Sequence, residues 1–122
     1  MEDQETQKED LFFEAVELYS DEKFEESIAC YGKALEIDSE YSDALHGLAR
    51  AQFDGGDPDA AIATAKRLTE IDADDILAHT SLSMFYQAKG MIEEAEKEGN
   101  AARVLGWKHE LKKDAEGGEL SD

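Results

Sequence analysis

The residues of this 122-residue chain that could carry out chemistry are few and stand apart. Its single cysteine, Cys30, would need a neighbouring base to act as a nucleophile, and the sequence shows no Cys/His/Asn grouping that supplies one. His46 and His79 could approach each other, and two imidazoles can begin a metal site. A third patterned ligand is missing, so packing or surface roles fit these histidines better than metal binding.

Two acidic clusters, at residues 54–59 and 72–75, look at first sight like calcium ligands. Neither forms the twelve-residue loop with a closing glutamate that such a site requires. Both fall where helices are expected to begin, and aspartate in that position caps free backbone N–H groups. The sequence also lacks a phosphate-binding glycine loop, a nucleophile elbow and an HExxH motif. We therefore expect no enzyme, no metal ion and no cofactor.

Charge and composition narrow the range of partners. The formal net charge is -19, from 31 acidic and 12 basic residues, so nucleic acid and anionic membrane surfaces would be repelled. A lone cysteine fits a reducing compartment, and the first ten residues lack the pattern of a signal peptide. No apolar run approaches the roughly 18 residues that a membrane span needs. These features predict a cytoplasmic protein.

Apolar residues recur at amphipathic-helix spacing along most of the chain, and no segment has the pattern of a strand. Gly55-Gly56 predicts the end of one helix, and Asp57-Pro58 has the residue types that cap and open the next. Gly106 is predicted to end a sixth helix, after which Trp107 and Leu111 would lie on one face of a short seventh. The fold class predicted is all-α.

The same pattern returns every 34 residues without a gap. Small residues recur at one position of each first helix and one position of each second helix: Ala15, Ala49 and Ser83, then Ser27, Ala61 and Ala95. Small side chains let two helices approach closely where they cross. A fixed period in this range indicates helix pairs that bury their apolar faces by stacking on their neighbours.

This spacing and these residue types resemble the tetratricopeptide repeat, whose Leu-Gly pair corresponds to Glu14-Ala15, Leu48-Ala49 and Leu82-Ser83. The resemblance implies a right-handed superhelical solenoid of three helix-turn-helix repeats plus a short C-terminal capping helix. The single domain would span residues 8–116, between a disordered acidic N-terminus at 1–7 and a disordered tail at 117–122. Within it, the repeats would occupy about 8–41, 42–75 and 76–109, and the capping helix about 107–115.

Two departures from the family pattern are informative, apart from the closing proline, whose position holds Ser39, Ala73 and Trp107. Glu14 stands where leucine is usual in the first repeat, and a charged outer face there suits the end of a solenoid. Gly99 stands in mid-helix where an aromatic residue is usual. We expect Trp107 or Leu111 to fill the space that Gly99 leaves.

The resemblance also implies a concave groove, lined by the first helices, that receives a peptide or a helix. The predicted binding residues are Phe12, Val16, Tyr19, His46, Arg50, Phe53 and Met84. The wider lining would add Glu9, Phe13, Asp43, Gly47, Asp54, Leu77, Thr80, Ser81, Gln87 and Ala88. Several of these residues are also expected to be ordinary core contacts. Arg50 could hold a partner's carboxylate or backbone carbonyl, or could pair with Asp43 or Asp54.

The family's best-known groove chemistry is a clamp of Lys, Asn and Arg side chains that holds the acidic tails of heat-shock chaperones. The matching positions here are Phe12, Val16, Gly47, Leu77 and Ser81, and none of these can donate a charge-assisted hydrogen bond to a carboxylate. The clamp is therefore absent.

The function predicted is that of a monomeric protein-interaction module, an adaptor or scaffold. It would bind an amphipathic segment, and the acidic rim would attract basic flanks on that segment. Two alternatives stay open: a small chaperone that masks apolar client segments, as in secretion, and a self-assembling structural protein whose end faces stack. A metal enzyme built on His46 and His79 is a more remote alternative.

Overall fold

The computed structural model describes residues 3–117, and within that range the chain forms six α-helices and no strand. The helices are α1 (Gln4–Ser20), α2 (Phe24–Ile37), α3 (Ser42–Asp54), α4 (Pro58–Ile71), α5 (Ile76–Ala88) and α6 (Ile92–Gly117). Each helix packs against the next one in the chain, and α1 also contacts α3. The predicted all-α fold is confirmed.

Small residues lie where the two helices of each pair cross, and nearly all of them are fully buried. In the first pair the Ser27 hydroxyl, on the second helix, donates to the Ala15 carbonyl at 2.8 Å. In the third pair the direction is reversed, since Ser83 on the first helix donates to the Ala95 carbonyl at 2.8 Å. Each serine hydroxyl thus finds a backbone acceptor across the crossing, so the close approach leaves neither of these hydroxyls unpaired.

The turn inside each helix pair places one residue in the left-handed backbone region. These residues are Glu22, Gly56 and Gly90, with φ of 60°, 96° and 75°, and they are spaced 34 residues apart. The N–H of each donates to the carbonyl three residues earlier, which closes the last turn of the first helix. Glycine adopts this conformation without strain. The first repeat uses glutamate at the same position.

The N-terminal end is helical from Gln4, so the disorder expected for residues 4–7 is wrong. The Asp3 side chain accepts the Thr6 N–H at 2.8 Å and caps the helix. Lys8 then pairs with Glu5 at 3.0 Å and with Asp38, in the α2–α3 connection, at 2.7 Å. These are polar interactions, so a search for apolar periodicity could not find them. Residues 1 and 2 lie outside the described range.

The C-terminal end is one continuous helix, so the separate seventh helix is also a wrong prediction. Gly106 lies within α6 and does not adopt positive φ, and a Cβ atom added there would meet nothing within 4 Å. Residues 118–122 of the predicted tail lie outside the described range.

The proposed filling of the space at Gly99 is wrong as well. A Cβ atom at Gly99 would lie 3.2 Å from the Ser83 hydroxyl oxygen, so Ser83 already occupies that space. Trp107 and Leu111 point into solvent, with 67% and 55% of their surface exposed.

Candidate functional site

The predicted groove residues differ in how much surface they leave free. Val16 and Arg50 are exposed, whereas the other five are half-buried. Most of the half-buried side chains have specific partners within the protein. A side chain engaged in such packing is less able to meet a ligand, so these internal partners decide which residues remain available.

Phe12 belongs to an aromatic cluster between the first two repeats. Its ring centroid lies 6.0 Å from that of Tyr31 and 5.7 Å from that of Tyr41. Phe13, next in the chain, forms an edge-on aromatic contact with Phe12, with the two ring centroids 5.4 Å apart. It leaves 62% of its own surface exposed. Phe13 therefore offers the free apolar surface that was expected of Phe12, and Phe12 supports it from behind.

Tyr19, Arg50 and Asp54 form a hydrogen-bonded group that joins α1 to α3. The Tyr19 hydroxyl donates to Asp54, and the Arg50 Nε donates to the same carboxylate at 3.0 Å. Partial burial, with the hydrogen bond to Asp54 as the next cause, raises the pKa of Tyr19. Of the two partners considered for Arg50, the structure therefore selects Asp54. The Arg50 side chain leaves 54% of its surface exposed.

His46 and His79 each contact a carboxylate on another element. His46 Nε2 lies 2.8 Å from Asp75, which also caps α5, and His79 Nδ1 lies 2.7 Å from Glu98 on α6. Each imidazole therefore has a structural partner. Within residues 3–117 no group of three His, Cys, Asp or Glu side chains is arranged to hold a metal ion.

The side chains of Phe53, Met84 and Cys30 also make contacts inside the protein. Phe53 stacks on Phe85 with ring centroids 4.7 Å apart, and Met84 packs against the same core cluster. The Cys30 thiol donates to the Leu11 carbonyl at 3.3 Å. Burial raises the pKa of Cys30 to about 11, so the thiolate needed for nucleophilic chemistry is scarce near neutral pH.

The remaining free apolar surface on the first helices comes from Phe13, Val16, Ile76 and Leu77. Val16 is 37% exposed and Leu77 56% exposed. We call the exposed side of α1 that carries Phe13 and Val16 the α1 face. Glu9 and Glu17, four residues before and after Phe13, are exposed on the same side of the helix. The α1 face is therefore an apolar strip with an acidic border.

The Tyr31 ring packs directly against Gly47 on α3. A Cβ atom at this position would fall 2.3 Å from the Tyr31 ring, so the ring occupies the space that a side chain would need.

An exposed apolar stripe on α6 was not predicted. It consists of Val104, which is 45% exposed, with Trp107 and Leu111 one and two turns further on. We call these three residues the α6 stripe. Their i, i+3, i+7 spacing is visible in the sequence and could have identified them as one helix face. We instead expected Trp107 or Leu111 to pack inward against Gly99, and therefore did not predict an exposed stripe.

The chain belongs to the tetratricopeptide repeat family, since the family profile matches residues 18–84. No curated protein sequence matches the chain closely enough to add to this assignment. The long helix α6 includes no stretch apolar enough to cross a membrane, and the same holds for the other helices within residues 3–117.

Several solved structures share the fold. MamA superimposes with a TM-score of 0.82 at 22% identity over 85% of this chain, which spans 61% of the MamA chain. The type III secretion translocator chaperone SycD of Yersinia enterocolitica gives 0.78 at 23% identity, covering 93% of this chain and 83% of SycD. The second TPR of Spaghetti, bound to the HSP90 peptide SRMEEVD, gives 0.76 at 16% identity, with coverages of 84% and 96%. These likenesses confirm a helical repeat solenoid.

Proposed function

We propose that this protein is an interaction module that binds an amphipathic segment of a partner protein on its concave side. Tetratricopeptide repeat proteins are in general protein-interaction modules, and the first helices of successive repeats line the concave side. The observation that carries the proposal is the α1 face, where Phe13 and Val16 are exposed on such a first helix. Exposed aromatic residues with an acidic border suit an apolar partner surface with basic flanks.

The binding residues fall into two groups in this proposal. Phe13, Val16 and Leu77 would contact the partner's apolar side chains directly. The predicted residues Phe12, Tyr19, His46, Phe53 and Met84 would shape and support that surface, since they are half-buried. Arg50 would offer its outer N–H groups to a carbonyl or carboxylate of the partner.

A heat-shock chaperone tail is a poor candidate partner. The Spaghetti domain binds an acidic peptide, whereas the α1 face of this chain carries Glu9 and Glu17 and would repel one. In a narrower form of the proposal, the protein is a chaperone that masks an apolar client segment. The similarity of its fold to that of the chaperone SycD supports this form. The two forms differ in outcome, because a chaperone keeps a client soluble that precipitates alone.

The test is a titration of a fluorescently labelled amphipathic helix with lysine flanks, followed by anisotropy at about 150 mM NaCl, where screening leaves short-range charge contacts effective. Phe13→Ser should weaken binding by at least about tenfold, or roughly 1.4 kcal/mol, because a central aromatic contact is lost. Ile92→Ser is the matched control, since Ile92 is also exposed but begins α6. Equal affinity of the Phe13→Ser and Ile92→Ser proteins would contradict the proposal.

A further inference from the structure

The end of α6 extends beyond the body of the solenoid. At the 34-residue period, Ile71 at the end of α4 corresponds to Leu105, yet α6 continues to Gly117. The twelve residues from 106 to 117 span about 18 Å at 1.5 Å per residue. The α6 stripe begins on the last turn of the body and runs along this extension.

The extension carries lysines along one side in an otherwise acidic chain. Residues 106–117 balance Lys108, Lys112 and Lys113 against Glu110, Asp114 and Glu116, whereas the whole chain carries -19. Lys108 and Lys112 are four residues apart and border the α6 stripe on one side. The extension is therefore an amphipathic helix with a basic border.

The α1 face has the complementary pattern. Its apolar residues, Phe13 and Val16, are bordered by glutamates at i−4 and i+4 of Phe13. Charged residues recur at multiples of four positions on both surfaces, so their rows run at the same inclination along each helix. If Trp107 and Leu111 packed on Phe13 and Val16, the lysine row could therefore lie along the glutamate row.

This contact can form only between two copies. α6 is one unbroken helix held against α5, at the opposite end of the row of helices from α1. Two α6 stripes packed antiparallel would bring Lys108 and Lys112 together with the same residues of the second copy, and like charges in contact are unfavourable. The α1 face offers the opposite charge.

We propose that the α6 stripe of one copy docks on the α1 face of a second copy, so that the protein associates head to tail. The proposal rests on the proposed function, because it assigns an occupant to the same binding surface, and it departs from the monomer that the sequence favoured. A head-to-tail contact does not close on itself in a dimer. The average molar mass in solution should therefore keep rising with protein concentration and should not level off at the mass of a dimer.

The test is a charge exchange measured by sedimentation velocity at about 150 mM NaCl. Glu9→Lys/Glu17→Lys protein has a basic α1 face and a basic stripe, and Lys108→Glu/Lys112→Glu protein has both surfaces acidic. Each variant alone should remain monomeric at concentrations where the parent protein associates. An equimolar mixture should associate again, because the basic face of the first variant then meets the acidic stripe of the second.

Folding and the proposed function are checked separately. Circular dichroism must show parental helicity for both variants, and a third variant, Trp107→Ser/Leu111→Ser, gives a test that leaves all charges unchanged. It should lose self-association but still bind the labelled basic helix. Self-association by Trp107→Ser/Leu111→Ser protein, no association of the mixed charge variants, or a parent protein that stays monomeric would overturn the head-to-tail contact. Failure of the labelled helix to bind would instead overturn the proposed function.

Discussion

At the scale of single residues, most side chains in the predicted groove have a partner inside the protein. Tyr19 and Arg50 share Asp54, and His46 binds Asp75. The sequence could not show which of two neighbouring apolar residues points outward. Phe12 and Phe13 illustrate the difficulty, because both are apolar and only the packed structure shows that Tyr31 and Tyr41 surround Phe12.

Gly47 gives a prediction that reverses the usual effect of adding a methyl group to a helix. Gly47→Ala would place its Cβ against the Tyr31 ring, and overpacking of this kind costs about 1–3 kcal/mol. Gly32→Ala is the control, since α2 has nothing within 4 Å there and alanine should stabilise by roughly 0.5–1 kcal/mol. Urea denaturation should show opposite signs for the two variants. A stabilised Gly47→Ala protein would show that the Tyr31 ring is easily displaced.

His79 makes part of the stability depend on pH. Its Nδ1 faces Glu98 at 2.7 Å and its Nε2 faces the Ala73 carbonyl at 2.8 Å, so both nitrogens meet acceptors. Burial lowers the pKa of His79, but the hydrogen bond to Glu98, the one to Ala73 and the nearby carboxylate charges outweigh it, and the net pKa is raised. The surroundings of His79 therefore favour the charged imidazolium.

The direction of the pH effect follows from that raised pKa. A histidine whose pKa is higher in the folded state stabilises fully below its unfolded pKa of about 6.5, and the contribution is lost as pH rises through the folded value. The loss of stability caused by His79→Gln should therefore be larger at about pH 5.5 than at about pH 8.5 in chemical denaturation. Glu98→Gln should reduce the same pH dependence. A His79→Gln effect that does not change with pH would contradict this assignment.

At the scale of elements, the helix boundaries in the middle of the chain agree with those predicted from the sequence, whereas those at the two ends do not. The Gly55-Gly56 stop and the Asp57 cap before Pro58 lie where they were predicted. The first turn of α1 depends on the Asp3 cap and the Lys8 ion pairs, and α6 passes through a glycine that no turn requires. Propensity and periodicity describe elements with neighbours on both sides better than elements at an end.

The turn between α1 and α2 is strained relative to the two equivalent turns. Glu22 adopts φ of 60°, where a residue with a Cβ costs roughly 1–2 kcal/mol, and its exposed side chain has no packing to lose. Glu22→Gly should therefore stabilise the protein by roughly 0.5–1 kcal/mol in spite of glycine's greater freedom in the unfolded chain. Thermal melting measures the gain. The reciprocal Gly56→Glu protein should melt lower, and a rise in its melting temperature would refute the argument.

At the scale of the whole molecule, the 34-residue period was sufficient to predict the class of fold. Small residues at the helix crossings repeat with that period, and the structure buries nearly all of them. The surface pattern is less predictable, because the α6 stripe depends on how α6 continues past the third repeat rather than on the repeat itself. Val104 and Trp107 would be buried core residues if a fourth helix pair packed against them.

The arrangement of contacts also determines how the chain can fold. Tertiary contacts join mainly helices that are neighbours in the sequence, linked by short turns. Such local contacts need little loop closure, and proteins dominated by them fold in microseconds to milliseconds. Each helix pair can form on its neighbour without waiting for distant segments to meet. The last turns of α6, which extend past this row of contacts, can unwind and reform while the rest of the protein stays native.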